Sequence, residues 1–154
     1  QWDMINLPYI TDEELKQTEM LCITGGEPFE YSDPVAIATY YRKKYPNIKY
    51  CTVYTNAYEL NDNMIKIDEY EIDGIIDGLN ISVKDLRDVY ALEDLLKHYD
   101  LNLPMNRLYV LPNVWDETMK VLEEWGNRGN FEIIRREWQE NFVPAPDCIF
   151  RRGA

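Results

Sequence analysis

Hydrophobic and polar positions along this chain follow two alternating patterns. Short apolar runs of strand length alternate with longer segments in which apolar residues recur every three or four positions, as on one side of a helix. The short runs predict strands at 20–24, 48–55, 78–83, 107–111 and 131–134. The first run is apolar on both sides, which predicts a strand buried under helices on both faces.

The predicted helices have recognisable start signals. Thr11 and Glu14 have the spacing of a capping box, and Asp33 followed by Pro34 predicts an N-cap and a first helical residue. Asp116 is the expected N-cap of a later helix that runs to about residue 125. A helix from about residue 89 to His98 lies between the third and fourth strands.

The order of these elements predicts an α/β fold. Strands that alternate with helices pair in parallel through right-handed crossovers, which gives a mostly parallel sheet with flanking helices. We expect one domain, with a lead-in and short helix at 1–19, a βα core at 20–135 and a C-terminal tail at 136–154. The periodicity leaves open whether the sheet is flat and doubly wound or part of a (β/α) barrel.

Composition narrows the function classes. The net charge of −12 disfavours general nucleic-acid binding, because an acidic surface repels phosphates. The sequence has no apolar run near the length of a membrane span and no signal peptide, so we expect a cytoplasmic protein without membrane contacts. The three cysteines suggest neither a disulfide framework nor a zinc site, and Cys22 and Cys51 are expected to be buried in strands.

The chemistry is expected to centre on Thr24-Gly25-Gly26-Glu27-Pro28, where the first strand ends and a helix signal follows. Two glycines let the backbone turn sharply and bring its N–H groups close to a ligand. In open α/β sheets, ligands bind beyond the carboxyl ends of the strands, where this turn lies.

The five residues resemble the GGEP motif of the radical S-adenosylmethionine (SAM) superfamily. The resemblance implies a partial (β/α) barrel in which Gly25, Gly26, Glu27 and Pro28 bind the methionine part of S-adenosylmethionine. It implies reductive cleavage of this cofactor to a 5′-deoxyadenosyl radical, with a small molecule or a protein as substrate and a flavodoxin or ferredoxin as reductant.

Two later strand ends extend the resemblance. Thr55-Asn56 resembles the family's frequent Thr-Asn or Ser-Asn at the end of the second strand, and Asn56 could hold the cofactor, the substrate or only the turn. Ser82 and Lys84 lie on one side of a strand end that contacts the ribose and carboxylate of the cofactor in the family, although a solvated lysine is an equal alternative. Tyr54 and Tyr58 could line the pocket, with packing as the stronger interpretation.

The chain departs from the family in two respects. Its fourth strand, Leu108-Tyr109-Val110-Leu111-Pro112, lacks the G-x-I-x-G-x-x-E pattern that some members use near adenine. The C-x3-C-x2-C motif that ligates a [4Fe–4S] cluster is absent, so the resemblance implies that this is an enzyme body whose cluster-binding N-terminal segment is missing. A cluster-free relative acting as a binding or scaffold protein is the alternative, with Trp138 and Phe142 in its interface. An unrelated nucleotide-binding protein ranks last, because the P-loop and dinucleotide patterns are absent.

Overall fold

The computed structural model describes residues 8–24, 28–31, 33–64, 72, 74–137 and 151–152. Its strands are β1 (Met20–Ile23), β2 (Tyr50–Asn56), β3 (Gly78–Val83), β4 (Arg107–Val110) and β5 (Glu132–Arg135). Its helices are α1 (Asp12–Lys16), α2 (Pro28–Tyr31), α3 (Pro34–Lys44), α4 (Ala57–Asn63), α5 (Leu86–His98) and α6 (Trp115–Trp125). Two 3₁₀ turns, Pro112–Val114 and Gly126–Arg128, flank α6.

The five strands form one parallel sheet in the order β1-β2-β3-β4-β5, which confirms the predicted α/β fold with flanking helices. Each strand pairs with the strand that precedes it, so within the described residues the order never reverses. A doubly wound sheet does reverse, and binds its ligand at the reversal. Right-handed crossovers that all advance in one direction place their helices on the same face of the sheet.

Burial confirms this one-sided arrangement. Alternate residues of the central strands pack with buried residues of α3, α4, α5 and α6 in one hydrophobic core, and we call this side of the sheet the helix face. Its strand residues in that core are Cys51, Val53, Leu79, Ile81, Val83, Leu108 and Val110. The opposite side, the polar face, is formed by Met20, Cys22, Tyr50, Thr52, Tyr54, Asn56, Gly78, Asn80, Ser82, Arg107, Tyr109, Glu132 and Ile134.

The first strand differs from its prediction. Among the described residues β1 pairs only with β2, and its residues alternate between exposed and half-buried. The expected burial under two helix layers is wrong, because the helices cover one face and β1 lies at the edge of the described sheet. Cys22 is therefore exposed, whereas Cys51 on the next strand is buried as predicted.

Most helix starts agree with their sequence signals. Thr11 and Glu14 form the capping box of α1, and Asp33 accepts a hydrogen bond from the backbone N–H of Ala36 at the start of α3. The prediction for Asp116 is wrong: α6 begins one residue earlier, directly after a 3₁₀ turn, and Asp116 lies in its first turn. A carboxylate there still favours the helix through the helix dipole.

The amino ends of β3 and β4 are held together by Asn106. Its buried side chain accepts a hydrogen bond from the backbone N–H of Leu79 at 2.9 Å and donates to the carbonyl oxygens of Leu101 and Gly129. Gly78 lies beside the backbone of Met105, where any side chain would collide with the Met105 carbonyl. These contacts fix the register of the two strands, and therefore the position of their carboxyl ends relative to each other.

Candidate functional site

The carboxyl ends of all five strands lie at one edge of the sheet, because every pair is parallel. At this edge Asn56 and Ser82 are direct partners in the β2–β3 register, and both side chains are half-buried on the polar face. The Ser82 hydroxyl lies 3.5 Å from the Thr55 carbonyl oxygen, at the outer limit of a hydrogen bond. An amide and a hydroxyl thus lie side by side on neighbouring strands.

The glycine turn follows the adjacent strand. Gly25, Gly26 and Glu27 lie outside the described residues, so the turn is fixed here only by its two ends. Thr24 follows β1 and is exposed, while Pro28 is buried and opens α2, which contacts β2 and α4. The three predicted strand-end segments therefore follow consecutive neighbours, β1, β2 and β3.

Asn56 has a structural role in addition to its predicted one. It is the N-cap of α4, and its side-chain oxygen accepts a hydrogen bond from the backbone N–H of Glu59 at 2.8 Å. This helix begins directly after β2. Asn56 thus holds the turn after β2, which is one of the roles that the sequence left open. Its ligand-binding role stays a prediction.

Lys84 follows β3 at the same edge and is exposed. Its backbone is held from two sides: the N–H donates to Asp88 Oδ2 at 3.0 Å, and the carbonyl oxygen accepts from the Asn113 side chain at 3.1 Å. Among the described residues its ammonium group makes no ion pair. Lys84 therefore has an exposed ammonium group and a backbone that is held by two hydrogen bonds.

Asp88 is a residue that the sequence analysis missed. Asp88 is 2% exposed, and its carboxylate accepts hydrogen bonds from the backbone N–H groups of Tyr58, in the first turn of α4, and of Lys84, after β3, each at 3.0 Å. Asp88 also lies three residues after Asp85, the N-cap of α5. That spacing resembles a capping motif and is visible in the sequence, but the hydrogen bond of Asp88 to the start of α4 is not.

Two tyrosines cross the polar face. Tyr54 on β2 and Tyr109 on β4 stack with ring centroids 6.4 Å apart and an interplanar angle of 28°. Their strands flank β3, so the ring pair spans the polar side of that strand, where Asn80 is 4% exposed. Of the two tyrosines considered from sequence, Tyr54 lies on this face, whereas Tyr58 packs against the core and under the Arg87 guanidinium at 4.0 Å.

Charged groups lie beside the tyrosine pair. The Arg107 Nε and a Glu132 carboxylate oxygen are 3.5 Å apart, with both side chains largely exposed. A hydrogen bond to Tyr109 raises the pKa of Arg107, with smaller contributions from the charges of Tyr109, Glu132 and Tyr54. The Arg136 guanidinium lies over the Tyr109 ring at 5.3 Å from its centroid. On the polar face, aromatic rings therefore lie beside the guanidinium groups of Arg107 and Arg136.

The described residues do not fit an iron–sulfur cluster. Cys22 and Cys51 lie on adjacent strands but on opposite faces, and no described group of three or more His, Cys, Asp or Glu side chains could hold a metal ion. Cys22 accepts a hydrogen bond from the Thr52 hydroxyl at 3.3 Å, whereas burial raises the pKa of Cys51 to about 12. A buried neutral thiol is a poor metal ligand, since thiolates are the species that bind.

Other expectations have simpler outcomes. His98 ends α5 as predicted, with Nδ1 2.8 Å from the carbonyl oxygen of Asp94. Trp138 and Phe142 lie outside the described residues. No helix in the described part of the chain is long and apolar enough to cross a membrane.

Comparison with known proteins adds no family assignment. No protein-family model matches the chain, and neither a curated protein nor a solved structure gives a significant match.

Proposed function

We propose that this chain is the body of a radical SAM protein that binds S-adenosylmethionine at the carboxyl edge of β1, β2 and β3. One observation supports this most directly: the strand before the Gly-Gly-Glu-Pro turn pairs with β2, whose terminal Asn56 is the register partner of Ser82. Segments that are far apart in sequence thus follow neighbouring strands, in the order that the family resemblance requires.

The fold supports the proposal in two further respects. A sheet whose strands follow one another without reversal, with helices on one side, has the topology of a (β/α) barrel segment. The polar face is then the inner surface of a partial barrel, which explains why it has amide, hydroxyl and tyrosine side chains instead of a second apolar core. We therefore keep the partial barrel as part of the proposal.

The residues fit the cofactor by their chemistry. The Glu27 carboxylate is suited to the methionyl ammonium group, and Lys84 to the carboxylate of the same amino acid. Asn56 and Ser82 offer donors and acceptors for the ribose hydroxyls. When bound, S-adenosylmethionine supplies the 5′-deoxyadenosyl group; these residues bind and orient it. Because the described thiols do not fit a cluster, the proposal assigns [4Fe–4S] ligation to a segment outside this sequence.

Calorimetric titration with S-adenosylmethionine tests the cofactor site. Glu27→Gln should weaken binding about tenfold or more, because it removes a charge-assisted hydrogen bond. Ser82→Ala should weaken it by a few-fold. Glu13→Gln, which neutralises an exposed carboxylate on α1, is the matched control and should leave the affinity unchanged. Equal affinity in all three variants, or no binding by the parent chain, would contradict the proposed site.

A second experiment separates the enzyme from the cluster-free alternative. Protein expressed from its complete reading frame would be reconstituted anaerobically with iron and sulfide, reduced, and examined by electron paramagnetic resonance. A [4Fe–4S]⁺ signal that S-adenosylmethionine perturbs supports the enzyme. Absence of a cluster would favour the relative that acts as a binding or scaffold protein.

A further inference from the structure

The polar face continues beyond the proposed cofactor residues, along the ends of β4 and β5. The cofactor residues follow β1, β2 and β3, whereas Tyr109 and Ile134 are register partners on β4 and β5. Arg136 is the first residue after β5, and its N–H donates to the carbonyl oxygen of Val110 at 2.9 Å. That bond extends the β4–β5 ladder and fixes the arginine backbone at the carboxyl edge.

The side chain of Arg136 points across the polar face. Its guanidinium lies over the Tyr109 ring, 5.3 Å from the centroid. Arg135, one residue earlier, points to the other side of the sheet and lies over the Trp115 ring, also at 5.3 Å. Strand alternation thus places two adjacent arginines in similar aromatic contacts on opposite faces.

A guanidinium that rests on an aromatic ring keeps its N–H donors available. Cation–π contact uses the flat face of the group, while the fork of N–H groups that matches carboxylate or phosphate remains at its edge. Among the described residues neither Arg136 nor Lys84 makes an ion pair. Both residues are exposed at the carboxyl edge of the sheet.

The distance between Lys84 and Arg136 allows the two side chains to bind different groups. Backbone hydrogen bonds continue the ladder from Val83 to Leu111 and from Val110 to Arg136, so Lys84 and Arg136 lie at the same height, two strand spacings or roughly 10 Å apart. Lys84 belongs to the cofactor side in the proposed function. Arg136 is left beside Tyr109, on the part of the polar face that the cofactor residues do not use.

We infer that Arg136 and Tyr109 form the seat for an oxyanion, a carboxylate or phosphate group, on the molecule that occupies the polar face beside the cofactor. The ligand's anion meets the N–H edge of Arg136, and its flat or apolar body packs against Tyr109 and Ile134. The identification of this ligand as the substrate rests on the proposed function, whereas the oxyanion seat itself does not.

The test uses benzoate as a planar carboxylate, phenyl phosphate as a planar phosphate, and benzamide as an uncharged analogue of benzoate. Each is titrated into the chain while the ring signals of Tyr109 are followed by nuclear magnetic resonance. We expect at least one anion to bind about tenfold more tightly than benzamide, in line with a hydrogen bond to a charged group. The stronger of the two anions identifies the oxyanion that the seat prefers.

Two arginine variants make the test specific. Arg136→Gln should weaken anion binding about tenfold, whereas Arg135→Gln, with its side chain on the other side of the sheet, should keep it within twofold. Equal binding of both anions and benzamide, equal effects of the two variants, or no shift of the Tyr109 signals would overturn the inference.

Titration with S-adenosylmethionine keeps this inference distinct from the proposed function. The affinity of Arg136→Gln for the cofactor should match that of the parent chain. If the parent chain fails to bind the cofactor but still selects an anion through Arg136, the proposed function falls and the oxyanion seat remains. If the cofactor binds and Arg136→Gln has no effect on the anions, only the inference made here falls.

Discussion

Cys22 and Cys51 are on adjacent paired strands, yet their surroundings differ completely. Cys51 points to the helix face and has no exposed surface, and burial raises the pKa of its thiol to about 12. Cys22 points to the polar face, is exposed, and accepts a hydrogen bond from Thr52. Across the sheet the helix face carries the apolar core, whereas the polar face carries hydroxyl, amide and tyrosine side chains, of which Thr52 and Asn80 are also buried.

The contrast has one cause, the direction in which the strands advance. Because every described strand adds to the same side of the sheet, the crossover helices all cover one face. That face excludes water and provides the hydrophobic free energy of folding. The polar face is left to side chains that hydrogen-bond, stack or ionise, which is why the candidate site lies there.

The largest expected difference between the faces is in thiol reactivity. In a Cys148→Ser background at pH 8, iodoacetamide should modify Cys22 at least a hundredfold faster than Cys51. A pKa raised from 9.0 to about 12 alone lowers the thiolate fraction of Cys51 by roughly a thousandfold, and burial adds steric protection. Mass spectrometry of the two peptides over time gives both rates.

The same reaction in denaturant is its control. Both cysteines should then react at similar rates, because the unfolded chain offers neither burial nor packing. Equal rates in the folded protein would mean that the two faces do not differ in accessibility at this strand pair.

Truncation of neighbouring residues should separate the faces energetically. Ile81 is fully buried on the helix face, so Ile81→Ala should lower the free energy of unfolding by about 4 kcal/mol through lost burial and a cavity. Ser82→Ala, one residue later on the polar face, should cost less than about 1 kcal/mol. Urea unfolding of the two variants measures both values, and similar losses would show that the polar face also acts as a core.

Loss of the Asp88 carboxylate should weaken the link between the start of α4 and the segment after β3. Asp88→Ala leaves the partly buried N–H groups of Tyr58 and Lys84 without their charged acceptor, which should cost about 2 to 3 kcal/mol in urea unfolding. Asp88→Asn keeps an acceptor oxygen and should cost less. Asp62→Ala, on an exposed part of α4, is the matched control with little expected effect.

Hydrogen exchange would locate the effect of the Asp88 substitution. The amides of Tyr58 and Lys84 should exchange faster in Asp88→Ala than in the parent chain, while those of β3 change less. Uniform acceleration throughout the sheet would instead indicate a general loss of stability.

Sequence patterns predicted the five strands because short apolar runs and turn signals are local properties. They failed at Cys22, whose burial depends on which side the helices lie, and at Asp116, where a 3₁₀ turn moves the N-cap two residues earlier, to Val114. The alternation in Asn80-Ile81-Ser82 was present in the sequence and marks the polar face. The Asp88–Tyr58 hydrogen bond and the Tyr54–Tyr109 stack join residues 30 or more positions apart, so no local pattern could indicate them.

The smallest expected effect concerns stability in alkaline solution. The Cys51 thiol ionises around pH 9 in the unfolded chain but only around pH 12 when folded. Between these values the unfolded state binds fewer protons than the folded state, so stability falls as the pH rises. From pH 9 to pH 11 this group should remove about 2 kcal/mol of unfolding free energy. Cys51→Ala should lose correspondingly less over the same interval. Urea unfolding at both pH values measures these differences. The other groups that ionise in alkaline solution contribute equally to the parent chain and the variant, so their contributions cancel. Parallel losses in the parent chain and in Cys51→Ala would mean that the helix face does not hold this thiol in its neutral form, and the contrast with Cys22 would then lie in access alone.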